Sequence, residues 1–207
     1  MGRVAREELL YDGCFAHIIS RSFDQSGLFH DHQDFEQFKH FLSDAKVNAN
    51  FFIHHYCFMH THFHLAVCVS DVHEFSEAMK NLKREYTYWH NVKYKRVGPL
   101  WRERYKSLLI EDEMYLYACG QYIELNPLKA NLVRQPEDWP FSSSRFYSLG
   151  EEDSLIDDYD RSNTNGLIGM DDEEFFEKGP GIGSPMFRLL AQESIRATCP
   201  SSKCLVP

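Results

Sequence analysis

The chain has 207 residues and a formal net charge of −9, and this length fits one domain, alone or with an appendage. Apolar residues make up 43% and charged residues 26% of the sequence, which is typical of a globular protein and excludes collagen, a coiled coil and disorder throughout. No stretch approaches the roughly 20 apolar residues of a bilayer span, and the first residues lack the apolar core of a signal peptide. We therefore expect a cytoplasmic protein.

Acidic and basic residues are unevenly distributed along the chain. Between Lys80 and Lys106, nine basic residues stand against two acidic ones, whereas between Glu151 and Glu177 eleven acidic residues stand against one basic residue. This asymmetry predicts a basic stripe that binds a polyanion, beside an acidic tail. A solvated helix face is the alternative explanation of the stripe.

A strand and a helix are the first predicted elements. Residues 14–19 (CFAHII) are typical of a buried strand. Beyond Asp34, apolar residues recur at helical spacing as far as Ala45. This spacing predicts an amphipathic helix, with Asp31 or Asp34 as its N-cap.

A hairpin follows the first helix. Two aromatic and β-branched runs, FFIHHYCFM (51–59) and HFHLAVCV (62–69), are separated only by His60 and Thr61. Such runs joined by two residues predict two antiparallel strands.

Three further elements complete the predicted domain. Apolar residues at steps of three and four predict a long helix over 75–89, and residues 104–110 (RYKSLLI) predict a strand. A third helix over 112–125 should end at Asn126-Pro127. The order of strands and helices predicts an α+β, ferredoxin-like antiparallel sheet with helices packed on it. We expect this domain to occupy residues 1–149 and an acidic, partly mobile appendage to occupy residues 150–207.

Two histidines are the first candidates for chemistry. His62 and His64 alternate at the start of an apolar strand, so both imidazoles point to one face and could bind one metal ion. The alternative is a polar strand end whose histidines are hydrogen-bonded within the protein.

The third predicted helix carries the second set of candidates. Tyr122 and Asn126 lie one turn apart on the same helix face, and Glu124 points to the opposite side. Core packing is the ordinary role of such a tyrosine. A tyrosine hydroxyl, with a reference pKa of about 10, is a poor nucleophile without help. A divalent cation held by two histidines and the asparagine oxygen could supply that help at a phosphodiester.

These motifs together resemble a known family. The chain is similar, from about Tyr11 to Tyr147, to the single-tyrosine HUH transposases and, within them, to the REP-associated tyrosine transposases. The segments that carry the resemblance are AHIISRSFDQSGLF, YCFMHTHFHLAV, MKNLKREYTYWHN, GPLWRERYKS, YIELNPLKANLV and WPFSSSRFY.

The resemblance implies a role for each candidate residue. It implies that His62 and His64 bind Mg²⁺ or Mn²⁺, that Asn126 is the third ligand, and that Tyr122 is the nucleophile. The implied activity is endonucleolytic nicking and rejoining of single-stranded or hairpin DNA, such as a REP element, through a 5′-phosphotyrosine. The implied location is the bacterial cytoplasm, at the nucleoid, and a homodimer is compatible with this function. The charge of the basic stripe, apart from the resemblance, predicts which residues contact DNA, and core packing is the alternative role for Trp101. These residues are Lys80, Lys83, Arg84, Trp101, Arg102, Arg104 and Lys106.

Two positions differ from the relatives, and two other functions stay open. Relatives usually carry Pro-Asn where this chain has His60-Thr61, and often a histidine where it has Glu124. His60 and Glu124 are therefore additional candidates for the metal site. A catalytically silent protein that binds hairpin DNA, and a metal-dependent hydrolase of small phosphoesters, are the alternative functions.

Overall fold

The computed structural model describes residues 10–23, 27–110 and 113–157. Within these ranges the chain forms one four-stranded sheet with helices on both faces. The strands and helices in chain order are β1 (Cys14–Arg21), α1 (His32–Ala49), β2 (Phe52–Met59), β3 (His62–Val69), α2 (Val72–Lys93), β4 (Lys106–Ile110), α3 (Glu113–Glu124), α4 (Asn126–Lys129) and α5 (Ser144–Leu149). None of the helices in the described part of the chain is long and apolar enough to cross a membrane.

The sheet has the strand order β2-β3-β1-β4, and every neighbouring pair is antiparallel. This arrangement confirms the predicted α+β fold with an antiparallel sheet and helices packed on it. The strand β1 is two residues longer than predicted because its pairing with β3 continues to Arg21, which lies opposite His62. The predicted hairpin is also present, since β2 and β3 are joined by His60 and Thr61 and pair from Met59 and His62 onward.

The main apolar core lies between one face of the sheet and the helices α1 and α2. Aromatic rings fill it: Phe38 of α1 packs against Phe58 and Phe63 of the sheet and against Tyr86 of α2, with ring centroids 5.0–5.2 Å apart. All four side chains are fully buried. Burial of each such side chain contributes about 1.5–3 kcal/mol to folding, so this face is the principal source of stability.

A charged cluster joins the start of α1 to the end of α2. Asp31 is the N-cap of α1 and accepts a hydrogen bond from the backbone N–H of Asp34 at 3.1 Å. The carboxylate of Asp34 is fully buried and accepts hydrogen bonds from Lys93 and Tyr94, each at 2.7 Å. Of the two predicted caps, Asp31 is therefore the cap and Asp34 links the two helices.

The segment 141–157 covers the outer edge of the strand β2. The backbone N–H of Ser143 donates to Tyr56 O at 3.0 Å, and that of Asp157 donates to Ile53 O at 2.8 Å. Leu155 is fully buried in the main core. Edge strands expose unpaired backbone groups, and this segment satisfies part of them.

The predicted appendage begins at residue 150, and most of it lies outside the described residues. Residues 151–157 belong to the same compact unit as the sheet, because they pack on β2 and α1. Lys39 and Lys46 of α1 form ion pairs with Asp153 and Asp157 at 3.0 and 2.8 Å. The division of the chain at residues 149 and 150 stays a prediction.

Candidate active site

The candidate site lies on the face of the sheet opposite the main core, beneath α3. Alternation along β3 places His62 and His64 on this face. Arg21 of β1 lies directly opposite His62, and His17 is diagonal to His64. Four polar side chains from two central strands therefore share one patch of the sheet.

The imidazoles of His62 and His64, which we call the HUH pair, are held in similar ways. The Nδ1 atom of His62 lies 3.1 Å from the hydroxyl of Thr61, and that of His64 lies 2.9 Å from Nε2 of His17. Both Nε2 atoms are buried, and neither has a hydrogen-bond partner among the residues that the structure describes. Buried polar atoms normally have a partner, so these two atoms fit the donors of a metal site.

Burial keeps these histidines neutral. Burial, and to a lesser extent the nearby charge of Arg21, lowers the pKa of His62 to about 3. Burial and Arg21 likewise lower the pKa of His17 to about 3. The pKa of His64 is held well below its usual range, first by burial and then by the neighbouring histidines and cations. A neutral imidazole offers the lone pair that a metal ion needs.

A third ligand from the described part of the chain would be of another type than histidine, cysteine, aspartate or glutamate. Within the described ranges, no group of three or more such residues is arranged to hold a metal ion. The predicted third ligand, Asn126, is 2% exposed and donates from Nδ2 to Tyr122 O at 2.9 Å and to Ile123 O at 3.1 Å. Pro127 has no N–H to bond to Ile123 O, so the amide of Asn126 replaces it. The amide nitrogen is thereby committed to the helix end, so a role of Asn126 in metal binding would fall to Oδ1.

Tyr122 packs on the histidines from the side of α3. Its ring centroid lies 6.3 Å from those of both His17 and His64, in edge-to-face geometry. The Nζ atom of Lys129 lies 4.3 Å from the same ring centroid. Tyr122 is 3% exposed, so the predicted nucleophile lies in a nearly closed site, in contact with His64, one of the two predicted histidine ligands.

Three residues near the site were not singled out in the sequence. His17 and Arg21 become recognisable only when the register of β1 against β3 is known. Alternation along β1 was the available signal, because it places both residues on one face. Lys129 is one turn beyond Asn126, and its position over Tyr122 depends on the short helix α4.

The two additional candidates for the metal site lie elsewhere. His60 is exposed in the hairpin turn; its Nδ1 lies 3.0 Å from Phe29 O, and its ring packs between Phe35 and Trp139. Glu124 lies under α3 against β2, with Oε1 2.8 Å from Nδ1 of His55. Neither side chain is directed to the HUH pair.

The basic stripe divides into exposed and structural residues. Arg84, Arg102 and Arg104 are exposed, and Lys80 is an exposed residue paired with Glu77. Lys106 lies opposite Ile19 and therefore on the face of the HUH pair. The role of these residues in DNA binding stays a prediction.

Two of the predicted DNA contacts, Lys83 and Trp101, pack within the domain. Lys83 is 8% exposed and donates to Ser20 Oγ and to Glu103 O, each at 2.7 Å. Trp101 packs its ring against the core and donates from Nε1 to Lys83 O at 3.0 Å. These contacts hold α2 to the sheet, and a role of the two side chains in DNA binding stays a prediction.

Comparisons with known proteins identify the fold and the family of the chain. The chain is similar to a solved structure of a REP-associated tyrosine transposase bound to a REP hairpin, with 19% identity, a TM-score of 0.61, and 77% of this chain and 99% of that chain covered. A crystal structure of a candidate transposase from Deinococcus radiodurans R1 aligns at 20% identity and a TM-score of 0.38, over 60% of this chain and 95% of that chain. No curated protein matches. The family model described as "Transposase IS200 like" matches residues 11–126, which include both histidines, Tyr122 and Asn126. This match covers more than half of the chain, and the protein belongs to the family of IS200-like transposases.

Proposed function

We propose that the protein nicks and rejoins single-stranded or hairpin DNA by transesterification at Tyr122. The observation that carries this proposal is the contact of Tyr122 with His64, whose Nε2, like that of His62, has no partner among the described residues. Family membership supports a DNA substrate. The hairpin bound to the structurally similar transposase supports a hairpin-forming strand.

The reaction exchanges one phosphate ester for another. The hydroxyl oxygen of Tyr122 attacks a backbone phosphorus, the new O–P bond forms, and the bond from phosphorus to the 3′-oxygen breaks. The tyrosine proton is lost and the departing 3′-oxygen gains one, so the products are a 5′-phosphotyrosine and a 3′-hydroxyl. A 3′-hydroxyl can reverse the step, and no nucleotide cofactor is needed.

The residues of the site have distinct tasks in this reaction. His62, His64 and Asn126 would hold Mg²⁺ or Mn²⁺, which would polarise the scissile phosphate and stabilise the charge that develops on it. Lys129 Nζ lies 4.3 Å from the ring centroid of Tyr122, and its positive charge would stabilise the negative charge that develops during the attack. Arg21 adds a second positive charge opposite His62, suited to a phosphate oxygen.

A covalent-adduct assay tests the proposal. The full chain is incubated with labelled hairpin DNA carrying a single-stranded flank, with Mg²⁺ or Mn²⁺, and separated on a denaturing gel. We expect a labelled protein band with the unaltered protein and none with Tyr122→Phe, which removes one oxygen and leaves the ring in place. Tyr117→Phe on the same helix is the matched control and should retain the band. A band of full intensity from Tyr122→Phe would overturn the assignment and move attention to Tyr115 and Tyr117.

A second function is favoured by one observation, the 3% exposure of Tyr122. A nucleophile so enclosed would suit a protein that binds hairpin DNA through its exposed arginines without cleaving it. The same samples on a native gel distinguish the two functions. A shifted complex without a covalent band would favour the silent binder, and we expect both the complex and the band.

We further propose that this activity takes place in the bacterial cytoplasm, at the nucleoid. The exposed positive charges of Arg84, Arg102 and Arg104 support an encounter with DNA.

A further inference from the structure

We propose that His17 is a positioning residue, which accepts a hydrogen bond from His64 and thereby directs the lone pair of His64 Nε2 to a metal ion. This inference rests on the proposed function, because it concerns the metal site of that function. It assigns a role to a residue of β1 that lies outside the HUH motif.

The geometry of the two rings carries the first step. His17 Nε2 and His64 Nδ1 are 2.9 Å apart, and the rings stack with centroids 5.1 Å apart and an interplanar angle of 22°. At this distance one nitrogen carries the hydrogen and the other supplies the lone pair. The side chains are both fully buried, so water cannot easily replace either partner.

The direction of this hydrogen bond decides whether His64 can bind a metal. If His64 donates from Nδ1, its Nε2 has a lone pair. If His17 donates instead, His64 Nε2 carries a hydrogen and cannot be a ligand. His17 Nδ1 has no partner among the described residues in either arrangement, as a donor in the first and as an acceptor in the second. With a cation present, the first arrangement leaves fewer buried atoms unsatisfied.

The neighbouring ligand shows the same arrangement. His62 Nδ1 lies 3.1 Å from the Thr61 hydroxyl, which can accept its hydrogen. In both imidazoles Nε2 is then the ring nitrogen with the lone pair, and Nδ1 has a hydrogen-bond partner within the protein. Metal-bound histidines usually have such a partner on the other ring nitrogen, and its loss typically costs 10–100-fold in affinity.

His17 lies on a central strand, which suits a residue that positions His64. It lies on β1, which is paired on both sides, with β3 and with β4. Its ring also contacts Tyr122 at 6.3 Å. One immobile side chain therefore touches both the candidate ligand and the candidate nucleophile.

Manganese binding tests the role of His17 without relying on DNA cleavage. His17→Phe fills the space of the ring and removes the acceptor, and we expect the dissociation constant for Mn²⁺ to rise about 10–100-fold. His17→Gln places an amide oxygen near the position of Nε2 and should recover most of the affinity. His90→Phe changes another buried histidine, on α2 and away from the site, and should leave the affinity unchanged. An unchanged dissociation constant in folded His17→Phe would overturn the proposal.

The tautomer of His64 is a second readout that needs no metal. ¹⁵N NMR of the metal-free protein should show His64 protonated at Nδ1, and His17→Gln should preserve that state. A hydrogen on Nε2 of His64 in the unaltered protein would overturn the proposal, even if His17→Phe failed to fold. Failure of the covalent-adduct assay together with normal Mn²⁺ binding would overturn the proposed function and leave the role of His17 standing.

Discussion

The carboxylate of Glu124 and the imidazole of His55 meet at 2.8 Å between α3 and the edge strand β2. The same carboxylate oxygen accepts a hydrogen bond from Ser143 at 2.7 Å. One acidic side chain therefore joins α3, β2 and the segment that covers the edge of β2. Because Glu124 is two residues beyond Tyr122, this contact fixes the rotation of the helix that carries the candidate nucleophile.

Gly120→Ala tests how closely α3 must approach β2. A methyl group at residue 120 would overlap the ring of His55, and we expect a loss of about 1–3 kcal/mol in the free energy of unfolding from overpacking. Urea unfolding measures it. In a His55→Ala background the same substitution should cost much less, because the ring is gone. An equal cost in both backgrounds would mean that the ring is not the obstacle.

Substitutions of three histidines test the metal site. His62→Ala and His64→Ala should each abolish detectable Mn²⁺ binding in calorimetry, because each removes one of only a few protein ligands. His60→Ala should bind almost normally, since His60 lies in the turn against Phe29 O. A comparable loss with His60→Ala would show that the turn takes part in the site.

Binding of a single-stranded oligonucleotide should weaken as salt is added. If Lys80, Arg84, Arg102 and Arg104 each neutralise one phosphate, the logarithm of the affinity should fall against that of the salt concentration with a slope of about −3. Arg102→Gln and Arg104→Gln together should make the slope shallower by about 1.4. Affinity without salt dependence would place the DNA away from these residues.

Lys83→Met tests whether the buried Lys83 stabilises the fold or contacts DNA. We expect it to leave the salt slope unchanged and to lower the free energy of unfolding by about 1–3 kcal/mol, because Ser20 Oγ and Glu103 O lose a buried donor. A shallower slope with normal stability would instead support Lys83 as a DNA contact.

Acid should destabilise the metal-free protein. The pKa values of His17 and His62 fall to about 3 in the folded state from an ordinary 6.5. Between pH 6.5 and 3 the unfolded chain takes up protons that the folded protein does not, so stability decreases as the pH falls through this window. The free energy of unfolding should drop by roughly 1.4 kcal/mol per pH unit for each imidazole, and these two groups should add no pH dependence above 6.5.

Urea unfolding at a series of pH values measures this slope. His17→Gln should reduce it, whereas His40→Gln, which alters an exposed histidine of α1, should leave it unchanged. An equal slope in His17→Gln would show that His17 is already protonated in the folded protein or accessible to solvent.

Two truncations test where the domain ends. A chain that stops after Gly150 loses the burial of Leu155 and the ion pairs of Asp153 and Asp157 with α1. Its free energy of unfolding should be at least about 1.5–3 kcal/mol below that of a chain that stops after Asp157, from Leu155 alone. Equal thermal stability of the two would place the end of the domain at residue 150.

Local patterns were sufficient to predict the order of the elements and the shared face of His62 and His64. Apolar residues recur with the period of a strand or of a helix within each element of the sheet domain. Alternation along a strand places His62 and His64 on one face, whichever strand it pairs with. The helical spacing of Tyr122 and Asn126 follows from the same kind of local rule. These relationships lie within single elements, so no tertiary information was needed.

The partners of these residues were decided by tertiary structure. His17 reaches His64 only because β1 pairs with β3 in one particular register, and a shift of one residue would turn it to the other face. Lys83 lies on a helix face that looked basic and solvated, yet the approach of Trp101 and Glu103 buries it. Glu124 meets His55 rather than the HUH pair because Gly120 lets α3 approach β2. Register, burial and close approach arise between distant segments, and no local pattern in the sequence encodes them.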